Sequence, residues 1–71
     1  MHYLVVVEKG EMSWGVNVPD LPGCVAVGNT RDKAMQLITE AIDLHIESLS
    51  EHGEPVPEPS SESELVEVKA A

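Results

Sequence analysis

The 71 residues make one small domain, and a chain of this size buries only about 60% of the surface its unfolded form exposes, which argues against a deep enclosed active site. Thirteen acids against four Lys and Arg give a formal charge of −9, which opposes direct binding to a nucleic-acid backbone and favours a basic protein partner. One Cys excludes an internal disulfide or a Cys-rich zinc site, and with no Phe, one Trp and one Tyr the core has to be aliphatic.

In chain order, residues 2–9 (HYLVVVEK) are apolar on both alternating sets, Tyr3, Val5 and Val7 on one and Leu4 and Val6 on the other. That pattern predicts a central strand covered on both faces. Gly10-Glu11-Met12 supplies a short turn, and SWGVNV then alternates Trp14, Val16 and Val18 against Ser13, Gly15 and Asn17, as a half-buried strand hairpinned to the first does. VPDLPGC, residues 18–24, follows. Pro19 and Pro22 fix φ and remove two donors, while Gly23 permits a left-handed turn, so the stretch reads mainly as a corner. Asp20 and Leu21 are its candidate exposed contacts with a partner. Residues 25–27 make a short third strand, closing at Gly28-Asn29.

A helix is predicted from Arg31 to His52, with Thr30 as N-cap, Asp32 in the first turn and Gly53 as a left-handed C-cap before Pro55. Ala34, Ile38, Ala41, Ile42, His45 and Leu49 share one face, and Lys33, Gln36, Glu40, Asp43, Glu47 and Glu51 lie opposite. Residues 54–64 form an extended Pro/Ser/Glu linker, and residues 65–69 (LVEVK) alternate as a last strand. The resulting class is α+β, in the order β-β-β-α-β, with one helix on one face of the sheet.

Little in this chain carries chemistry. His45 reads as a packed, hydrogen-bonded core histidine, and His2 and His52 have no chelating spacing. The stripe Glu40, Asp43, Glu47 and Glu51 reads as a solvated face, with a divalent cation or a basic partner as its other uses. Cys24 has no cationic neighbour in sequence to lower its pKa and reads as an inert thiol. A two-metal nuclease needs converging carboxylates, and only Glu8 and Asp20 lie near the strands. No catalytic residue, metal site or cofactor is expected. No run of about 18 apolar residues could span a membrane and the N-terminus has no signal-peptide pattern, so the cytoplasm is the default location.

The apolar first strand, the run Val18-Pro19-Asp20-Leu21-Pro22-Gly23-Cys24, then Gly28-Asn29-Thr30, Ala34, and Gly53, Pro55, Val56 and Pro57 after the helix together resemble the HicB antitoxin family over nearly the whole chain. The resemblance implies a partial ribonuclease H-like fold, one mixed sheet whose fourth strand lies beside and parallel to the first. It also implies a non-enzymatic antitoxin that neutralises a small basic HicA-type ribonuclease toxin, itself of the double-stranded-RNA-binding fold. An orphan homo-oligomeric binding module is the alternative. Lys33 stands where similar sequences carry Glu, so the reciprocal half of a Thr30 capping box is missing. The 17 residues after Glu54 are too few for two packed helices, which leads to the expectation of a toxin-binding domain without a DNA-binding one. Finally, one helix can cover only one side of a strand that is apolar on both. Leu4 and Val6, with Tyr3 and Val5, are therefore candidates for an oligomer face, most simply a dimer, with Val66 and Val68, or Leu65, beside them.

Overall fold

The computed structural model describes residues 1–70. Strands β1 (Val6–Lys9), β2 (Trp14–Asn17) and β3 (Val25–Gly28) form an antiparallel sheet in the order β1-β2-β3, and helix α1 (Arg31–Glu51) follows. The first hairpin closes where Gly10 N–H donates to the Ser13 carbonyl at 2.8 Å, just beyond the Lys9↔Trp14 pair. The Lys9 ammonium sits 5.6 Å from the Trp14 ring centroid, in cation–π range, so the alkyl stem and charge of Lys9 cover the indole at the turn end of the hairpin.

β1 is shorter than its apolar run and lies at the sheet edge, not at its centre. Its ladder starts at Val6↔Asn17 because the opposite strand turns away immediately afterwards. Val18 already donates to Cys24 across the corner at 3.1 Å, and Pro19 has no N–H to offer. Residues Tyr3 to Val5 consequently run on without a strand partner.

Both helix ends follow the expected chemistry. The Thr30 hydroxyl accepts from Lys33 N–H at 3.0 Å with Thr30 itself extended (φ −129, ψ 161), so the absent Glu removes only the return half of the box. At the far end, Glu54 N–H reaches the Leu49 carbonyl at 2.9 Å and Gly53 N–H the Ser50 carbonyl at 3.2 Å, with Gly53 at φ +68. This paired return is a Schellman motif, which places His52 at the cap just past the last helical residue, Glu51. α1 packs across β2 and β3. Gly28 sets how close it comes, since a Cβ there would stand 2.6 Å from the backbone N of Ala34. The core is the expected aliphatic one: Val16, Val18, Leu21, Cys24, Ala34 and Ile38 are buried, with Tyr3, Val5, Val7, Trp14, Ala26, Met35, Ala41 and Ile42 packed around them.

The fourth strand is the main correction. Residues 54–70 contain no strand, so the sheet is wholly antiparallel among the described residues, not mixed. Leu65, Val66 and Val68, expected beside β1, are 99%, 76% and 78% exposed. The reason lies upstream. Pro55, Pro57 and Pro59 cannot donate to a ladder, and the chain after α1 is held across the end of the sheet at two points. The Tyr3 hydroxyl donates to the Pro57 carbonyl, and Ser60 and Ser61 bind Asp20 beyond the end of β2. From there residues 62–70 are exposed throughout. No helix among the described residues is long and apolar enough to cross a membrane.

Candidate partner-binding surface

VPDLPGC folds as two consecutive β-turns that share Leu21. Leu21 N–H donates to the Val18 carbonyl and Cys24 N–H to the Leu21 carbonyl, each at 3.0 Å, so Pro19 and Pro22 each occupy the second position of a turn, where φ near −65° is required. The second turn carries Gly23 at φ +84 in its third position, the requirement of a type II turn. The double turn throws Leu21 inward, where it is completely buried. Its expected role as an exposed contact is therefore corrected: Leu21 is the plug that anchors the corner to the core. Pro19, Pro22 and Gly23 stay exposed.

Asp20, half-buried at the same corner, is engaged from within the chain. Its Oδ2 accepts the Ser60 and Ser61 N–H groups, both at 2.9 Å, and its Oδ1 accepts the Ser61 and Ser60 hydroxyls at 2.7 and 3.1 Å. These donors, the Ser61 N–H foremost, favour the charged form and hold the carboxyl at about 2. Nothing in the local sequence around Ser60 or Ser61 marked them as ligands of a carboxylate 40 residues away.

The sheet has one covered face and one open face. Tyr3 and Val5 pack with the core on the helix side, which removes them from the candidate oligomer surface. Leu4 is half-buried and Val6 36% exposed, and pairing puts Val6 with Asn17 and Val25 on the open face. That face has a component not singled out from the sequence: Val25 and Val27, 63% and 64% exposed, flank Asn17 and Gly15. The cue was available, since in Val25-Ala26-Val27 the small Ala is the residue suited to lie under the close-packed helix. Gly15 adds no side chain, and Glu8 and Asn17 share this face, so Val25 and Val27 form an exposed apolar pair on β3 with Asn17 between them and Val6.

On the opposite side, Glu40, Asp43, Glu47 and Glu51 are all exposed along α1, and the last turn of the helix carries no basic residue. The described residues contain no group of three or more His, Cys, Asp or Glu placed to hold a metal and enclose no pocket. His45 is half-buried at the rim of the apolar face, not enclosed in it. His2 and His52 are exposed, the His52 ring lying 2.7 Å from the Ser48 carbonyl through Nδ1. Cys24 is buried, and burial pushes its thiol up, away from nucleophilic use. What this geometry offers is surface: an acidic helix flank, a rigid proline corner and an uncovered sheet face with exposed valines.

The model of the HicB-like antitoxin of bacterial toxin-antitoxin systems matches residues 3–70. A UPF0150 protein of Thermoplasma acidophilum is 44% identical over 63 residues, 87% of this chain and 91% of that protein. Antitoxin HicB 2 of Photorhabdus laumondii is 33% identical across the whole chain, which spans 52% of that antitoxin's length. Among solved structures, the N-terminal domain of the Burkholderia pseudomallei antitoxin HicB superposes with a TM-score of 0.74 at 41% identity, covering 82% of this chain and 69% of that one. A chain of a structure described as the HicA3 and HicB3 toxin-antitoxin complex gives 0.71 at 32% identity, covering 84% and 70%.

Proposed function

The chain belongs to the HicB-like antitoxin family, and from that membership we propose that it binds a small basic ribonuclease toxin of the HicA type and blocks the toxin's access to RNA. The observation that carries the proposal is the likeness, over 84% of this chain, to a chain solved in a HicA3 and HicB3 complex. The charge distribution supports it. A HicA-type toxin of the double-stranded-RNA-binding fold has to present a basic surface to phosphates, and the exposed row Glu40, Asp43, Glu47 and Glu51 offers that surface carboxylates in their place. The corner residues Pro19, Asp20, Pro22 and Gly23 form a stiff rim whose contacts to the toxin carry little ordering cost. The protein acts by occupancy, without catalysis and without direct contact to nucleic acid, in the cytoplasm where its partner meets RNA.

Co-expression with the small basic reading frame beside its gene, followed by affinity capture, tests this. The expected result is a stable complex in which the toxin no longer degrades RNA; capture of the chain alone, with the toxin fully active, contradicts it. A second reading, an orphan module that assembles only with itself, draws on the exposed Val6, Val25 and Val27, and the same capture experiment separates the two.

A further inference from the structure

Ser60 and Ser61 spend both of their hydroxyls on one carboxylate. The Ser61 hydroxyl donates to Asp20 Oδ1 at 2.7 Å and the Ser60 hydroxyl at 3.1 Å. Around them, residues 54–70 contain neither helix nor strand, and Pro55, Pro57 and Pro59 keep the approach extended. Acids follow at a defined spacing. Among Ser60, Ser61 and Ser63, only Ser61 has a carboxylate both one and three places after it, Glu62 and Glu64; Ser60 has Ser61 and Ser63 there, and Ser63 has Glu64 and Val66. An extended segment with a hydroxyl followed by two acids fits an enzyme groove whose basic side chains read those carboxylates.

We propose that Ser61 is a phosphorylation site, modified by a nucleoside-triphosphate-dependent protein kinase that reads acids after its serine, and that the phosphate opens the bond to Asp20. The proposal goes beyond the antitoxin reading and does not depend on a toxin. In the transfer, Ser61 Oγ forms a bond to the γ-phosphorus while the bond from that phosphorus to the β,γ-bridging oxygen breaks. The nucleoside diphosphate leaves, and the hydroxyl proton passes to the kinase's own base. The product lacks what the contact with Asp20 requires. Its Oγ has no hydrogen left to donate to Oδ1, and it brings a charge of about −1.5 to −2 at pH 7 to an oxygen that stood 2.7 Å from a carboxylate. Like charges that close repel, and Glu62 and Glu64 beside the new phosphate add to the repulsion. The kinase reaches Ser61 without unfolding the domain. Ser61 is half-buried, but Ser60 before it and residues 62–70 after it are exposed, so opening this one contact presents the hydroxyl and leaves the core intact. The Tyr3 hydroxyl holds the Pro57 carbonyl independently of both serines, so the length released by the phosphate begins after Pro57.

The test incubates the full chain with an acid-directed serine kinase, magnesium and ATP, in wild-type, Ser61→Ala and Asp20→Asn forms, with an acidic serine peptide alongside to prove the kinase active. Fragmentation mass spectrometry places the phosphate, and amide NMR reads the contact with Asp20. The expected result is a phosphate on Ser61 of the wild-type chain that Ser61→Ala loses. In the phosphorylated wild-type chain the Ser60 amide resonance moves to its position in Asp20→Asn, while those of Val16 and Ile38 stay. Phosphate confined to Ser60 or Ser63, or none while the peptide is modified, overturns the site. Phosphate on Ser61 of Asp20→Asn but not of the wild-type chain overturns it equally, because the intact contact then shuts the kinase out. A wild-type chain phosphorylated on Ser61 with its Ser60 amide unmoved refutes the opening.

Discussion

The Asp20 carboxylate, 40 residues from the Ser60-Ser61 pair in the chain, accepts four hydrogen bonds from it, two donated by the N–H groups and two by the hydroxyls. This clasp fixes where the C-terminal segment leaves the body, and it ties that segment to the proline corner and through Leu21 to the core.

The clasp is sensitive to acid. Asp20 is lowered from 3.8 to about 2 by its serine donors, so the stabilisation it contributes is complete above pH 4 and lost as pH falls through about 2. The Ser60 and Ser61 amide resonances should therefore shift together between pH 4 and 2 while those of Val16 and Ile38 stay constant. Asp20→Asn should give the released shifts already at pH 7 with the core unchanged. Ser60 and Ser61 signals that ignore both changes would show that the clasp does not form in solution.

Three glycines should respond differently to substitution, because only two of them are constrained. Gly23→Val forces a β-branched residue to φ +84 and should cost about 1–3 kcal/mol, lowering Tm by several degrees or more. Gly28→Ala pushes a Cβ to 2.6 Å from the Ala34 backbone and should also destabilise, by displacing α1 from β3. Gly15→Ala meets nothing within 4 Å and should leave Tm unchanged or raise it. Thermal melts by circular dichroism rank the three; a Gly23→Val protein with the wild-type Tm would remove the type II turn from this account.

Leu21→Ala should behave as a core truncation, costing about 2–5 kcal/mol, because its side chain is wholly enclosed. Chemical denaturation measures this. A loss of partner binding with no loss of stability would instead return Leu21 to the recognition surface.

Duplex DNA should not be bound specifically, since a net charge of −9 leaves few cations for phosphates. A mobility-shift titration of the promoter fragment at physiological salt should show no sequence-dependent complex at sub-micromolar protein, the range in which specific binders act.

The sequence was most informative where local chemistry decides the outcome. Thr30, Gly53, the two prolines of the corner and Gly23 each do what their side chains or backbone freedom demand, and the 3.6-residue spacing identified Ala34 and Ile38 as the buried stripe. It misled where a distant contact decides. Periodicity alone made LVEVK a strand of its own sheet, but the Asp20 clasp and the prolines send that segment elsewhere, and no local pattern encodes a bond across 40 residues. The apolar run of β1 predicts a central strand, but an edge strand with an uncovered face carries the same pattern. Leu21 was misplaced for a related reason: a leucine between two prolines resembles an exposed loop tip until the two turns are seen to point it inward.

The central proposal, that this chain disarms a basic ribonuclease through its acidic helix face, is measured most directly by RNA cleavage by the cognate HicA-type toxin. With wild-type protein added to one equivalent, cleavage should stop. With Glu40→Lys, Asp43→Lys, Glu47→Lys and Glu51→Lys combined, protection should require at least about tenfold more protein at low salt, the range over which charge complementarity controls association. Cleavage that continues undiminished with wild-type protein in excess, or that the charge-reversed protein stops equally well, would contradict the account.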